Sequence, residues 1–376
     1  MWPIPLPGNQ SMNHPTSAFP SQYGRFYHQV LQLYPKIDYP DNEYLSNAIN
    51  QKIIYDTLFA ETALKHKLPI RYQFRILKEL LRRIENSIVN SDKDEISDQL
   101  MNTFSSLLTQ TLSTSQFCPE KFHVTYTLYS LSNVLSPQKT AWNLSKVSSS
   151  FMSCISHIPT ITIFESHDVL AASGTTGFRT WEAALHMGNY LCTHPEIVRA
   201  KHILELGSGT AYISILCALH LQASHVLATD GSMSITSTHN YNFEINGLQY
   251  PNQIRSEQLV WKQNLCDAKQ YPEFHNNNKI DLILGTDVIY DSAGILALLV
   301  TISDLSLLFP GVRVLIASTV RNEETVGIFL DNCNKKDWLV SEIDWKMNYE
   351  NFQEGPFFDT TVPIKIFSMF RKYLPI

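Results

Sequence analysis

The sequence predicts an α/β fold with a parallel sheet in its C-terminal part and a small helical domain before it. From about residue 200, short apolar runs typical of buried strands alternate with helical segments, which is the pattern of a parallel sheet covered by helices. Before about residue 155, apolar residues recur mainly at helical spacing. The 376 residues, 44% of them hydrophobic, suffice for two domains with a large core. We therefore predict a Rossmann-like domain preceded by helices.

Composition and charge exclude several classes of function. The formal net charge is −6, only 17% of the residues are charged, and no long run of Lys and Arg is present. A nucleic-acid binder normally needs a basic face, so we expect no direct nucleic-acid partner. The six cysteines are scattered without a metal-ligand spacing, and we expect no metal and a reducing compartment. No signal peptide or membrane-spanning run is apparent, and we expect a cytoplasmic protein without a membrane partner.

The N-terminal region, residues 1–155, is predicted to be a helical domain. Its first 40 residues are rich in Pro, Ser, Asn and Gln and are expected to be irregular. Helical spacing runs from about 41 to 90, with Pro69 where a second helix would start. One or two further helices are expected around 100–112 and 125–134. None of these segments contains residues that indicate chemistry.

The second domain, residues 156–376, is predicted to contain the α/β elements. Alternating or continuous apolar runs predict the strands. The predicted strands are 161–165, 202–206, 225–230, 281–285, 312–318, 338–343 and 364–370. Helices are predicted over 181–192 and 211–221 and from 231 to about 246.

The strongest local motif is Leu204-Glu205-Leu206-Gly207-Ser208-Gly209-Thr210, at a junction between a strand and a helix. Glycines let a ligand approach the backbone, and the N–H groups of the helix start can bind a carboxylate. Glu205 can accept a hydrogen bond from an ammonium group. The amino-acid end of S-adenosyl-L-methionine offers both groups. A dinucleotide site would have a third glycine where Tyr212 stands. A tight turn without a ligand is the alternative.

Asp230 ends the next strand, about twenty residues further on. In doubly wound sheets a carboxylate at this place accepts hydrogen bonds from ribose hydroxyls. Asp230 could instead cap the helix that follows it. Together with Glu205 and the glycines, its position favours the ribose interpretation.

Two further blocks follow later strands. Trp261 could pack on an adenine ring or simply belong to the core. The block Gly285-Thr286-Asp287-Val288-Ile289-Tyr290 directly follows an apolar strand, at the carboxyl edge where open α/β sheets bind ligands. Asp287 and Tyr290 are three residues apart and could face one cavity. A helix cap with an anchoring Tyr is equally compatible.

These blocks, in this order, resemble the seven-β-strand protein-lysine methyltransferases, whose D-x-x-Y block is present as Asp287-Val288-Ile289-Tyr290. A second hallmark is an upstream Trp, matched by Thr180-Trp181-Glu182-Ala183-Ala184. Within that class, segment 174–185 is similar to that of the elongation factor 2 lysine methyltransferases. The resemblance implies a seven-stranded Rossmann-like methyltransferase domain and S-adenosyl-L-methionine as cofactor. The implied cofactor-site residues are Trp181, Gly207, Ser208, Gly209, Asp230, Trp261 and Thr286. It also implies that Asp287 faces the substrate lysine.

The expected function is methyl transfer from S-adenosyl-L-methionine to a lysine of elongation factor 2, with Asp287 and Tyr290 at the reacting amine and Glu205 at the cofactor. We expect a monomer whose N-terminal domain recognises the protein substrate. One alternative is a methyltransferase of another protein or a small molecule, because a fold does not decide its substrate. The other is a methyltransferase-like binding or assembly factor, which the intact glycines and acidic residues disfavour.

Overall fold

The computed structural model describes residues 22–88, 95–113, 121–131, 158–166, 176–263, 265, 267, 279–346, 353 and 355–372. The α-helices include α1 (Gln22–Leu31), α2 (Asn42–Ser46), α3 (Ala48–Ile54), α4 (Ile70–Ser87), α5 (Asp98–Ser113), α6 (Glu182–Thr193), α7 (Tyr212–Leu219), α8 (Met233–Ile245), α9 (Ser292–Leu308) and α10 (Glu323–Lys335). The strands are β1 (Lys121–Thr127), β2 (Thr160–Ser166), β3 (His202–Leu206), β4 (His225–Asp230), β5 (Ile254–Gln258), β6 (Leu282–Thr286), β7 (Arg313–Thr319), β8 (Trp338–Glu342) and β9 (Ile364–Arg371). Within these ranges, no helix combines the length and apolar character needed to cross a membrane.

Seven strands form one sheet in the order β5-β4-β3-β6-β7-β9-β8. The first five are parallel, and β9 runs antiparallel to both β7 and β8. This sheet confirms the predicted Rossmann-like fold. Because β3 is followed in sequence by β4 on one side and is paired with β6 on the other, the strand order reverses at β3. A crevice for a ligand is expected at the carboxyl end of β3 for this reason.

The central strands are buried on both faces, as expected for a parallel sheet between helices. On one face Leu204 and Ile283 pack in a cluster that includes Leu298 and Ile302 of α9. On the opposite face Ile203 packs in a second cluster with residues of α6 and α7. This continuous burial explains why the strands read as apolar runs and why their ends were well predicted.

One expectation about the N-terminal region is wrong: residues 125–127 belong to a strand, not to a helix. Strand β1 pairs antiparallel with β2 over its whole length, from Lys121 opposite Ser166 to Thr127 opposite Thr160. The segment alternates with a period of two, and Val124 and Tyr126 are buried. Pairing with the distant strand β2 therefore makes this segment a strand and not a helix. The pairing of β1 with β2 connects the two regions that the sequence analysis divides at residue 155.

The first 40 residues are also not irregular throughout, because α1 lies within them. Tyr23, Phe26, Tyr27 and Val30 recur at helical spacing and are buried. Directly after α1, the Gln32 side chain exchanges two hydrogen bonds with the backbone of Phe357, near the C-terminus. The aromatic residues of α1 thus hold the N-terminal helices on the core. Helix α4 begins at Ile70, directly after Pro69, as predicted.

Candidate active site

The glycine loop after β3 brings three segments together. Gly207 and Gly209 have φ angles of +65° and +52°, in the left-handed region. A Cβ on Gly207 would lie 2.8 Å from Val288 Cγ1 and 3.3 Å from Trp261 Cζ2. A Cβ on Gly209 would lie 3.2 Å from the Gly177 carbonyl oxygen. The loop therefore needs glycine both for its backbone angles and for these close approaches.

Ser208, between these glycines, supplies a polar group without a partner. Its backbone N–H donates to the Thr229 carbonyl oxygen at 2.9 Å. Its Oγ is buried, and no described residue hydrogen-bonds it. Such a buried hydroxyl is costly unless a ligand uses it. Because α7 begins at Tyr212 and no side chain caps its N-terminus, the loop fits the carboxylate of an amino-acid cofactor such as S-adenosyl-L-methionine.

Glu205 lies behind this loop and is 1% exposed. Its Oε2 accepts hydrogen bonds from the backbone N and the Oγ of Ser214, in the first turn of α7. Burial raises the pKa of the Glu205 carboxyl to about 8, although both Ser214 bonds lower it. The side chain thus ties β3 to α7 in addition to lying where the sequence predicts a cofactor contact.

Asp230, at the end of β4, faces the same loop. Its Oδ2 accepts from the Gly209 backbone N–H at 3.1 Å, and its Oδ1 accepts from the Ser232 N–H at 3.0 Å. The carboxylate therefore braces the glycine loop and the turn before α8. Each carboxylate oxygen can accept more than one hydrogen bond, so these contacts leave capacity for ribose hydroxyls.

Asp287, after β6, is held in a left-handed conformation with φ of +51°. Its backbone N–H donates to the Ala317 carbonyl oxygen at 2.9 Å. Its Oδ1 and Oδ2 accept from the backbone N and the Oγ1 of Thr319, at 2.8 and 3.0 Å. Burial raises the pKa of Asp287, and the Thr319 bonds and the charge of Arg321 oppose that rise. Contacts from β7 thus fix the direction of this carboxylate.

Trp181 lies at the start of α6, among charged side chains that sequence reasoning missed. The guanidinium of Arg321 lies 5.2 Å from the centre of its ring, and that of Arg179 lies 5.0 Å from it. Arg321 also approaches Glu182 at 3.3 Å and Asp287 at 3.9 Å. Arg321 therefore connects the Trp181 segment to the D-x-x-Y block.

The other predicted residues lie around the same edge. Thr286 is the last residue of β6, is partly buried and pairs with Ala317. Tyr290 is 67% exposed and does not hydrogen-bond Asp287. Burial raises the pKa of the Tyr290 phenol, and the charges of Asp291 and Asp230 raise it further. The exposed Tyr290 side chain is thus not held against Asp287.

Two residues of α8 support the glycine loop, and sequence reasoning missed both. His239 is fully buried, with Nε2 2.7 Å from the Gly209 carbonyl oxygen and Nδ1 2.7 Å from Ser256 Oγ. Because a carbonyl only accepts, Nε2 must carry the proton, and Nδ1 then accepts from Ser256. Asn242 donates to the Thr210 carbonyl oxygen at 3.1 Å. Polar residues on the buried face of a predicted helix are the signal that could have found them.

Comparisons with known proteins agree with this geometry. A family model described as "Lysine methyltransferase" matches residues 162–336. A Chaetomium thermophilum protein named "Protein-lysine N-methyltransferase EFM3" is 37% identical, over 93% of this chain and 98% of its own length. A Saccharomyces cerevisiae protein of the same name is 32% identical, over 50% of this chain and 59% of its own length. The human "Protein-lysine N-methyltransferase EEF2KMT" is 26% identical, over 45% of this chain and 53% of its own length.

The chain belongs to the lysine methyltransferase family. The resemblance stated from the sequence is thereby confirmed, and so is the expectation of a protein-lysine methyltransferase. S-adenosyl-L-methionine, the methyl donor expected from the sequence, is confirmed with the family. The binding-factor alternative loses weight accordingly.

Proposed function

We propose that this enzyme methylates a lysine of translation elongation factor 2. The observation that carries the proposal is that Asp287, Trp181 and the glycine loop meet at one edge of the sheet, linked by Arg321 and Val288. The resemblance of segment 174–185 to the elongation factor 2 lysine methyltransferases supports this substrate. The match to the human relative named EEF2KMT supports it as well.

The cofactor is proposed to lie across the carboxyl ends of β3, β4 and β6. The carboxylate would bind the loop Gly207–Gly209 and the N-terminus of α7, where Ser208 Oγ is available. Both Ser214 bonds to Glu205 end on Oε2, so Oε1 is proposed to accept from the ammonium. Asp230 would bind the ribose, and Trp261 and Thr286 would line the adenine end.

Bound S-adenosyl-L-methionine supplies an electrophilic methyl group on a cationic sulfonium. The attacking lysine must be neutral, and from a free pKa of ~10.4 this costs roughly 4–5 kcal/mol at pH 7. Burial of the amine recovers part of that cost. An anion favours the ammonium, so we assign Asp287 to capturing and aligning the lysine, with the proton leaving through water. Tyr290, exposed beside the crevice, is proposed to line the lysine channel.

The N-terminal region, residues 1–155, is proposed to recognise the protein substrate, because a lysine on a large folded protein needs a docking surface. Deleting residues 1–150 would remove β1, which pairs with β2, so a loss of activity would not separate docking from folding.

Variants on an exposed face of the N-terminal region are the cleaner test. Leu108 and Leu112 of α5 are 41% and 80% exposed. If this face docks, Leu108→Ser with Leu112→Ser raises the KM for elongation factor 2 and leaves the KM for the cofactor unchanged. Unchanged KM values would contradict docking of the substrate on this face of α5. We also propose that the enzyme acts as a monomer in the cytoplasm, where this substrate is expected.

The proposal is tested with purified, unmodified elongation factor 2. The factor is incubated with the enzyme and S-adenosyl-L-methionine, and its peptides are analysed by mass spectrometry. We expect a gain of whole methyl units on one lysine, and Asp287→Ala is expected to abolish it.

The control measures cofactor binding separately from turnover. S-adenosylhomocysteine is titrated into wild type and Asp287→Ala by calorimetry, and both are expected to bind it. Binding without any mass gain on elongation factor 2 would contradict the proposed substrate. The search would then move to unmodified cell lysate, with the same mass readout.

A further inference from the structure

Glu165 is a buried acid outside the set of residues assigned so far. It lies on β2, where Ile161, Ile163 and Glu165 share the buried face of the strand, and it is 1% exposed. A charged side chain in such a place is costly unless several donors reach it. Its partners therefore indicate what it holds in place.

The described hydrogen-bond partners of Glu165 lie on two different segments. Its Oε1 accepts from the Tyr126 hydroxyl, on β1, at 2.8 Å. Its Oε2 accepts from the backbone N–H of Thr180 at 2.9 Å and from Thr180 Oγ1 at 2.5 Å. Next to it, the Ser166 N–H donates to the Phe178 carbonyl oxygen at 2.8 Å. The end of β2 thus holds the segment directly before Trp181.

The same hydrogen bonds continue to the glycine loop. Thr180 Oγ1 lies 2.7 Å from Thr210 Oγ1. A hydroxyl has a single proton, and Thr180 gives it to the carboxylate, so Thr210 must donate to Thr180. The order of donation is Thr210 to Thr180 to Glu165. Thr210 is the last residue of the glycine motif that follows β3. Its carbonyl oxygen accepts a hydrogen bond from Asn242.

We propose that Glu165 is a positioning residue of the methyltransferase site, whose carboxylate holds the Trp181 segment against the loop Gly207–Thr210. The inference rests on the proposed cofactor site. Neither Glu165 nor Thr180 touches the place assigned to the reacting groups. Their effect is to set the distance between two walls of the crevice, and small errors of placement there weaken both binding and methyl transfer.

Four variants separate this role from a general contribution to stability. Glu165→Ala removes the acceptor for the three donors named above. Glu165→Gln keeps an acceptor for Thr180, and its NH₂ group can donate to the Tyr126 oxygen. Thr180→Val keeps the shape and the backbone N–H but removes the link between Glu165 and Thr210. Thr162→Val is the matched control, because Thr162 bonds Thr125 across the same two strands at 3.1 Å.

The measurement is calorimetric titration of the full chain with S-adenosylhomocysteine, at a temperature where circular dichroism shows each variant folded. We expect Kd to rise about 10-fold or more in Glu165→Ala, about 5-fold in Thr180→Val and about 3-fold in Glu165→Gln. Thr162→Val is expected to stay within about 2-fold of wild type even if its unfolding temperature falls equally. In the methylation assay, the KM for S-adenosyl-L-methionine is expected to follow the same order.

Two results would overturn the inference. One is an unchanged Kd in Thr180→Val, which tests the link even if Glu165→Ala does not fold. The other is an equal loss of affinity in Thr162→Val, which would reduce Glu165 to a structural residue. Binding of S-adenosylhomocysteine does not depend on the protein substrate. A wrong assignment of elongation factor 2 would therefore leave these results unchanged.

Discussion

The amino ends and the carboxyl ends of the parallel strands, here called the amino edge and the carboxyl edge of the sheet, differ in their chemistry. At the amino edge, a cavity of about 810 Å³ is lined by Lys201, Lys279, Asp281 and Arg313, among others. Its charges are paired or solvated: Lys279, 71% exposed, bonds Asp281 at 2.7 Å. The carboxyl edge instead has left-handed glycines, the buried carboxylate of Glu205 and the carboxylate of Asp287, whose side chain is 9% exposed. It also has the Ser208 hydroxyl, which has no hydrogen-bond partner among the described residues.

The direction of the strands explains this difference. After β3, β4, β6 and β7 the chain turns into a helix whose N-terminus lies toward the carboxyl edge, where it can bind an anion. At the amino edge the helices end in carbonyl groups. A cavity is therefore not enough to identify the site, whereas buried groups that need a partner indicate the carboxyl edge.

The largest effect is expected at Asp287. Asp287→Ala should lower kcat/KM for the protein substrate about 100-fold or more, because the lysine loses its alignment. Affinity for S-adenosylhomocysteine should stay within about 3-fold, measured by calorimetry. Asp287→Asn keeps the size and is the matched variant. Near-normal turnover in both would show that the carboxyl edge acts without this carboxylate.

A smaller effect is expected at Asp230, on cofactor affinity. Asp230→Ala should raise the Kd for S-adenosylhomocysteine about 50-fold, since hydrogen bonds to a charged group are worth about 1.5–3 kcal/mol. The control is Ser234→Ala, which removes only an exposed contact with Ser232 in the same turn. Equal affinities for both variants would assign Asp230 to bracing the loop alone.

The buried Glu205 should make stability depend on pH. Its pKa is raised to about 8 in the folded protein, from 4.5, so the folded state binds the proton more tightly. The stabilisation from this group is thus fully present below pH 4.5 and is lost as the pH rises through about 8. Relative to Glu205→Gln, the free energy of unfolding of wild type should fall by about 2 kcal/mol from pH 6 to pH 8.

Urea unfolding of both proteins at the two pH values checks this expectation. The difference in unfolding free energy between wild type and Glu205→Gln cancels the contribution of the histidines. One of these is His239, whose pKa is lowered by burial. A difference that does not change with pH would mean that Glu205 is already ionised at pH 6.

The smallest effect is expected at the amino edge. Lys201→Ala and Lys279→Ala should leave kcat, KM and S-adenosylhomocysteine affinity within about 2-fold of wild type, because exposed ion pairs contribute little. Steady-state kinetics with elongation factor 2 checks this. A 10-fold loss in either variant would mean that the amino-edge cavity takes part in the reaction, and the contrast between the two edges would fail.

Local pattern predicted most of the α/β half. Strands β3, β4, β6 and β7 are continuous apolar runs, and their observed bounds lie within one residue of the predicted ones. The N-terminal half was predicted less well. Strand β1 depends on pairing with β2, and α1 depends on aromatic residues that pack on distant segments. Neither partner is visible in a short window of sequence.

The sequence by itself determined the alternation of strands and helices, the glycine loop and the acidic residues at the strand ends. These features depend on neighbours in the chain, so they can be read locally. Only the tertiary structure decided which carboxylates are buried and what holds them. Glu165 bonds Tyr126, 39 residues away, and Asp287 bonds Thr319, 32 residues away. Such pairs form only when the fold brings distant strands together, and no local period encodes them.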